Sequence, residues 1–367
     1  MDVKKQWRVG IIGATGMVGQ RFVLLLANHP WFKVTCLAAS KRSAGQTYHS
    51  ALDGRWRMEE EMPANIAQMS IHDANDIDAI APLVDFVFCA VSLEKNETRE
   101  LEEAYARAGV PVVSNNSACR GLEDVPMIIP EINADHLAAI EKQKERLGGK
   151  GGFIVVKPNC SIQSYVPALH PLRYFGIEKI SVCTYQAISG AGKSFETWPE
   201  MVDNVIPYIG GEEEKSEQEP LKVWGQMYDG VIQNAQTPLI SAQCLRVPVT
   251  DGHMAAVSVS FRNKPTKEQI LECWQEDVRT LPQELQLPSA ASPYLKYFEE
   301  NNRPQTKLDR NLSNGMGISI GRLREDKIFD YRFVCLSHNT LRGAAGGAVE
   351  TAELLCKLNY IKGEKES

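Results

Sequence analysis

Cys160 stands in Lys157-Pro158-Asn159-Cys160-Ser161-Ile162-Gln163, between an apolar run over 153–156 that reads as a buried strand and an apolar stretch that reads as a helix. A cysteine at the first turn of a helix meets free N–H groups and the positive end of the helix dipole, and both favour thiolate over thiol. A thiolate there can attack an acyl carbon, and the neighbouring amides can hold the oxyanion that forms. For an arbitrary cysteine a buried structural role is the better reading; the Pro-Asn-Cys-Ser turn at a strand-to-helix junction reverses that preference. The thiol needs a proton partner. His253, in Arg246-Val247-Pro248-Val249-Thr250-Asp251-Gly252-His253, follows an Asp-Gly turn that can project a side chain into a cleft, and histidine moves protons near neutral pH. His338, beside the glycine-rich stretch 341–347, is its rival.

A second chemistry is written at the N-terminus. Gly13-Ala14-Thr15-Gly16-Met17-Val18-Gly19 sits between a strand and a helix. Glycines there let the backbone turn tightly against a pyrophosphate, and the helix start offers N–H donors and a positive dipole end. A lone glycine motif is weak, but strand before and helix after is the context that gives it meaning. Gly13, Thr15, Gly16, Met17 and Val18 are therefore the expected dinucleotide contacts. Such sites usually carry an acid at the end of the second strand when the ligand is NAD. Here that stretch is Ala39-Ser40-Lys41-Arg42-Ser43-Ala44-Gly45, with no acid. Ser40, Arg42 and Ser43 suit a 2′-phosphate, so NADP(H) is the expected cofactor.

The elements that must position these residues fall into two patterns. Strands expected over 8–12, 34–39, 85–91, 111–114 and 153–156 alternate with helices over 18–28, 93–108 and 134–147, a βαβ rhythm that predicts a parallel, doubly wound sheet. After Cys160 the rhythm changes. Long strands expected over 180–188, 243–249, 253–262, 315–323 and 328–336, with a helical stretch over 266–278, predict a mostly antiparallel sheet with helices on one face. Residues 210–220 are acidic and read as solvated. The last helix, within 341–360, is expected to return to the first domain, giving one domain of 1–157 plus 341–367 and a second of 158–340.

Composition bounds the rest. A chain of 367 residues is long enough for two cores, and 43% apolar with 23% charged residues is ordinary for a globular protein. A net charge of -6 without a basic tract argues against nucleic acid as a partner. No run nears the ~20 apolar residues that span a bilayer, and the first strand starts too early for a signal peptide. Nine scattered cysteines without CxxC pairs read as reduced thiols, hence a cytoplasmic protein, and the histidines show no metal-ligand spacing.

GATGMVG, ASKRSAG, SNNSACR, KPNCS, TYQAISGAG, RVPVTDGH and HNTLRGAAGGAVETAELL follow one another in an order that resembles the aspartate-semialdehyde dehydrogenase family, and its archaeal and fungal branch in SGAGK and HNTLRGAAG. The resemblance covers nearly the whole chain. It implies a Rossmann-type NADP-binding domain joined to a catalytic and dimerisation domain. It also implies NADPH-dependent conversion of L-4-aspartyl phosphate to L-aspartate 4-semialdehyde, on the route to lysine, threonine, methionine and diaminopimelate. By the same resemblance Cys160 is the nucleophile, His253 the general acid/base and Gln186 the residue that positions the substrate. Arg246 would grip the α-carboxylate, Arg120 and Lys222 the acyl phosphate with Asn116 nearby, and Glu219 the ammonium. Ser189, Gly190 and Asn339 would lie at the cofactor. A homodimer or homotetramer is implied. An arginine fork suits a carboxylate, and cations suit a phosphate. Two other readings stand beside this one: a malonyl-CoA reductase of the same superfamily, and an NADP-binding protein without activity. N-acetylglutamyl-phosphate reductase shares the chemistry but matches the sequence less well.

Overall fold

The structure is a computed structural model that describes residues 6–363, so the outer limits of the first expected domain lie outside the described residues. Six strands form the first sheet: β1 (Trp7–Ile12), β2 (Phe32–Ala39), β3 (Ile71–Asp73), β4 (Phe86–Cys89), β5 (Val112–Ser114) and β6 (Ile154–Val156). Their order is β3-β2-β1-β4-β5-β6 and every neighbouring pair is parallel. The strands are short apolar runs because both faces are covered; all four residues of β4 are buried. The strand order reverses between β1 and β4, which opens a crevice at their carboxyl ends. The loop Gly13–Gly16 lies there and leads into α1 (Met17–Leu26).

Helix α2 (Lys95–Arg107) crosses from β4 to β5, and α3 (Ile162–Leu169) follows β6. All eight residues of α3 are buried, because it sits between the two sheets and packs on the second one.

The second sheet takes β7 (Ile177–Gln186), β10 (Leu239–Arg246), β11 (His253–Phe261), β12 (Leu295–Phe298), β13 (Ile318–Glu325) and β14 (Tyr331–Ser337), in the order β10-β7-β11-β14-β13-β12. A small hairpin of β8 (Gln226–Tyr228) and β9 (Val231–Gln233) stands apart. The sheet is mostly antiparallel, as expected, but mixed rather than purely so: β7–β11, β11–β14 and β13–β14 run antiparallel, while β7–β10 and β12–β13 run parallel. Alternation of apolar residues reports which face is buried and carries no information on strand direction. Direction follows from the connections, and the long crossover from β7 to β10 brings β10 in parallel. That crossover contains α4 (Glu212–Val223), so the stretch read as solvated is a helix that buries Glu212, Ser216, Glu219 and Lys222. The helical stretch expected over 266–278 is shorter, Lys267–Cys273, started by a Thr266–Gln269 capping box.

On the outer face of the second sheet, residues of β7 and β11 are half-buried or exposed. On β11 every other residue turns outward, and Met254 and Ala256 pair with outward Tyr185 and Cys183 of β7. The final helix α5 (Gly346–Lys357) puts Ala348, Val349, Ala352 and Leu355 into the core formed by Val9, Ile11, Phe22 and Phe88 of the first sheet and its helix.

Candidate active site

The turn after β6 delivers Cys160. Asn159 shapes that turn: its Oδ1 accepts from Ser161 N at 2.7 Å and from Ser161 Oγ at 2.7 Å. Cys160 lies just ahead of α3, whose N-cap is Ser161. His253, fully buried, opens β11 after Gly252 with φ 102°, and its Nε2 stands 3.4 Å from Cys160 Sγ. Residues 93 apart in sequence thus meet side chain to side chain. The N–H of Ala187 donates to His253 Nδ1 at 3.1 Å, which puts the proton of the neutral ring on Nε2, facing sulfur. Burial, and then the charge of Arg246, hold the His253 pKa down to about 3. The ring is neutral throughout the physiological range and acts toward sulfur as a hydrogen-bond donor.

The helix dipole does not win at the thiol. Desolvation, and after it the carboxylate of Glu212, push Cys160 up to about 12, against the opposing charges of Arg120 and Arg246. Burial and the acid thus oppose the thiolate that the helix start favours, because Cys160 precedes the first helical turn and lies in a packed site.

Gln186 and Arg246 end the parallel neighbours β7 and β10 in register. Arg246 donates through Nη1 to Ala187 O at 2.6 Å. Gln186 Nε2 reaches Thr184 Oγ1 at 3.2 Å and Glu212 Oε2 at 3.3 Å. Gly190 closes this corner. A Cβ on it would come 2.9 Å from Arg246 Nη1 and 3.0 Å from His253 Nε2, so a larger residue would press on both side chains.

Helix α4 forms the opposite wall. Glu219 accepts from Arg120 Nη1 at 2.9 Å and from Asn159 N at 2.5 Å. Lys222 does not point a free ammonium at the site: it donates to the carbonyls of Arg120 (2.7 Å), Leu122 (2.6 Å) and Val125 (2.9 Å). Burial lowers its pKa to about 8. Its three donors fix the segment that carries Arg120. Asn116 directs its amide to Glu102 Oε1 at 2.9 Å. Glu212 was not among the expected residues. It receives the Asn159 amide on both oxygens, at 3.0 and 3.1 Å, and orients the turn of the nucleophile together with Gln186. Gly343 is a second addition, since its Cβ would fall 2.8 Å from Cys160 Cβ. The run of small residues LRGAAGG was its only signal in the sequence.

The glycine loop fits a dinucleotide. A Cβ at Gly13 would strike Ala90 O at 2.5 Å, and one at Gly19 would strike Gly13 O at 2.3 Å, so the turn exists only with glycine at both places. Buried Gln20 ties Thr15 O to Arg55 O, at 3.1 and 3.0 Å, and braces the loop. Ser40, Arg42 and Ser43 follow β2 in a turn closed by Ser43 N to Ser40 O at 2.9 Å. From the loop a cavity of about 340 Å³ runs past Met17, Val18 and Arg21 to Ser189, Gly190 and His338. The Nε of Arg21 is buried without a hydrogen-bond partner. Asn339 holds the far end, donating to Ser189 Oγ at 2.8 Å and accepting from Gly252 N at 2.8 Å. His338 lines this cavity, and its Nδ1 accepts from Thr340 N at 3.3 Å. Among the described residues no cluster of His, Cys, Asp and Glu is arranged to hold a metal, and no helix is long and apolar enough to cross a membrane.

The semialdehyde dehydrogenase NAD-binding domain family matches residues 8–140, and the semialdehyde dehydrogenase dimerisation domain family matches residues 169–342. The chain is similar to aspartate-semialdehyde dehydrogenase of Archaeoglobus fulgidus, 43% identical over 97% of this chain and 100% of that one. It is also similar to that of Schizosaccharomyces pombe, 40% identical over 97% and 99%. Among solved structures, aspartate-semialdehyde dehydrogenase with NADP from Candida albicans superposes with a TM-score of 0.87 at 35% identity, covering 97% of this chain and 100% of that one.

Proposed function

This chain belongs to the aspartate-semialdehyde dehydrogenase family, and from that premise we propose that it makes L-aspartate 4-semialdehyde from L-4-aspartyl phosphate with NADPH through a thioester on Cys160. The observation that carries this reading is the 3.4 Å contact of Cys160 Sγ with His253 Nε2, with the charges of Arg120 and Arg246 both acting on that thiol.

The chain's own groups divide the work. The sulfur of Cys160 attacks the acyl carbon; the C–O bond to phosphate breaks, and phosphate leaves with the electron pair and takes up the proton that the thiol gives up. Arg120, aimed by Glu219 and by the three carbonyl bonds of Lys222, meets that phosphate, while Arg246 grips the α-carboxylate. Glu219, with Glu212 in the same wall, answers the ammonium. Bound NADPH supplies the hydride that reduces the thioester. His253 Nε2–H then supports the sulfur as the carbon–sulfur bond breaks and the aldehyde leaves. Gln186, held by Glu212 and Thr184, orients the acyl group beside Cys160.

Residues 1–157 with 341–367 hold NADP(H) in this reading, and 158–340 carry the chemistry and the self-association. The half-buried outer face of β7 and β11 is the proposed surface of a homodimer. Nine cysteines, none in a disulfide, fit work in the cytoplasm.

Turnover in the oxidative direction with aspartate semialdehyde, phosphate and NADP tests the assignment. Activity that requires phosphate is expected, with little on succinate semialdehyde, which lacks the ammonium. Efficient reduction of malonyl-CoA instead would move the chain to the reductase reading.

A further inference from the structure

Behind the Arg120 segment lies an acid that no step above uses. Glu102, on α2, has no exposed surface. Its Oε1 accepts from Ser114 Oγ at 2.5 Å and from Asn116 Nδ2 at 2.9 Å. Ser114 is the last residue of β5, and its hydroxyl oxygen also receives Asn116 N at 2.9 Å. The Asn116 amide lies 3.4 Å from the thiol of Cys89, the last residue of β4. One carboxyl thus ties together the ends of two neighbouring strands and the start of the segment that leads to Arg120. The other oxygen, Oε2, is buried without a hydrogen-bond partner. Among the described residues no cation pairs with Glu102; its neighbour Glu103 takes Arg99, Arg107 and Arg146.

We propose that Glu102 is held as an uncharged acid and is a positioning residue: it sets the depth of residues 114–120 so that Arg120 is aimed at the phosphate of the acyl donor. The inference rests on the reading of Arg120 as the phosphate cation.

Two features support it. A carboxylate with a buried, unpartnered oxygen and no cation is costly, whereas a carboxylic acid in that place is tolerable. Burial pushes the Glu102 carboxyl up, against its donors Ser114 and Asn116 and the nearby thiols of Cys119 and Cys89. The other titratable groups that face it are those same two thiols, Cys89 from β4 and Cys119 from the segment itself, and burial pushes both of them up as well. The segment is also pinned from two sides. Lys222 takes its carbonyls at Arg120 and Leu122 from the side of α4, and Glu102 takes its beginning from the side of the first sheet. Arg120 closes the span by donating to Asn115 O at 3.0 Å, one residue from Asn116. Loss of either anchor lets the guanidinium swing.

The test uses the full-length enzyme in the oxidative direction and reads the phosphate KM separately from kcat. Glu102→Gln keeps the shape and the neutral charge, and its phosphate KM should stay near the wild-type value. Glu102→Ala should raise the phosphate KM about tenfold, the scale of one or two lost hydrogen bonds. NADP binding, read by fluorescence, and alkylation of Cys160 should change little in the same variant. Should Glu102→Ala fail to fold in a melting experiment, Ser114→Ala removes one of the two donors and should raise the phosphate KM by a smaller factor. A Glu102→Gln variant as impaired as Glu102→Ala would overturn the uncharged acid, and an unchanged phosphate KM in Glu102→Ala would overturn the positioning role. If the wild type used no phosphate at all, the reading of Arg120 would fall by itself. Phenylglyoxal labelling of Arg120 would then decide the geometry: Glu102→Ala should alter its rate and Glu102→Gln should not, and equal rates in all three proteins would overturn the proposal.

Discussion

At the scale of single residues the proposed chemistry rests on Cys160 and His253. Cys160→Ala should abolish turnover and leave NADPH binding intact, measured by fluorescence titration; measurable turnover in that variant would remove the thioester. The thiol's pKa gives a sharper expectation. With the group pushed up to about 12, the thiolate fraction at lower pH rises with pH, about tenfold per unit. Alkylation of Cys160 by iodoacetamide in the cofactor-free enzyme should therefore climb through pH 7 to about 10 with no plateau. It should show no inflection near pH 6, because His253, held down to about 3, is already neutral there. A plateau by about pH 8 would mean that the helix dipole governs the thiol after all. Glu212→Gln removes the charge that raises the thiol most after desolvation, so its alkylation should be faster at every pH in that range. Glu212 was illegible in the sequence because three glutamates in a row look like a solvated face. Only packing selects the one that turns inward.

At the scale of elements, two turns carry the expectations. The turn after β2 holds Arg42, and Arg42→Ala should weaken NADPH binding roughly tenfold or more, the scale of a lost bond to a charged group. NADH binding should be unaffected, and equal loss with both cofactors would show that Arg42 does not read the 2′-phosphate. The turn after β7 holds Gly190. A methyl there meets Arg246 and His253, so Gly190→Ala should lower kcat strongly without lowering the melting temperature much. Wild-type activity in Gly190→Ala would show that this corner can relax. The parallel sheet and its glycine turn were legible because short apolar runs alternate with amphipathic stretches, and both signals are local. The parallel edges of the second sheet were not, since strand direction depends on where a long connection returns. Lys222 shows the same limit. Its place three residues after Glu219 was visible, and its commitment to three carbonyls of a distant segment was not.

For the whole molecule, the open face of the second sheet sets the expectation. Tyr185 is 37% exposed and pairs with Met254 across β7 and β11 on the outward face of the sheet. A second copy of this chain is its proposed cover, and light scattering should give a dimer or a larger even assembly. Tyr185→Glu combined with Met254→Glu should yield monomers, because two buried charges per copy oppose association. A wild-type monomer at micromolar concentration would remove the surface from consideration. The sequence by itself determined the glycine turn, the strand-to-helix turn that carries Cys160 and the two-pattern architecture, because each is encoded by local residue patterns. Tertiary structure alone decided three things: that His253 faces Cys160 across 93 residues, that Glu212 holds the Asn159 side chain of the turn before Cys160, and that burial and Glu212 push the thiol's pKa up. Each depends on desolvation and on distances between separate elements. A linear sequence states which charges exist, and only the fold sets how far apart they lie and how much water remains between them.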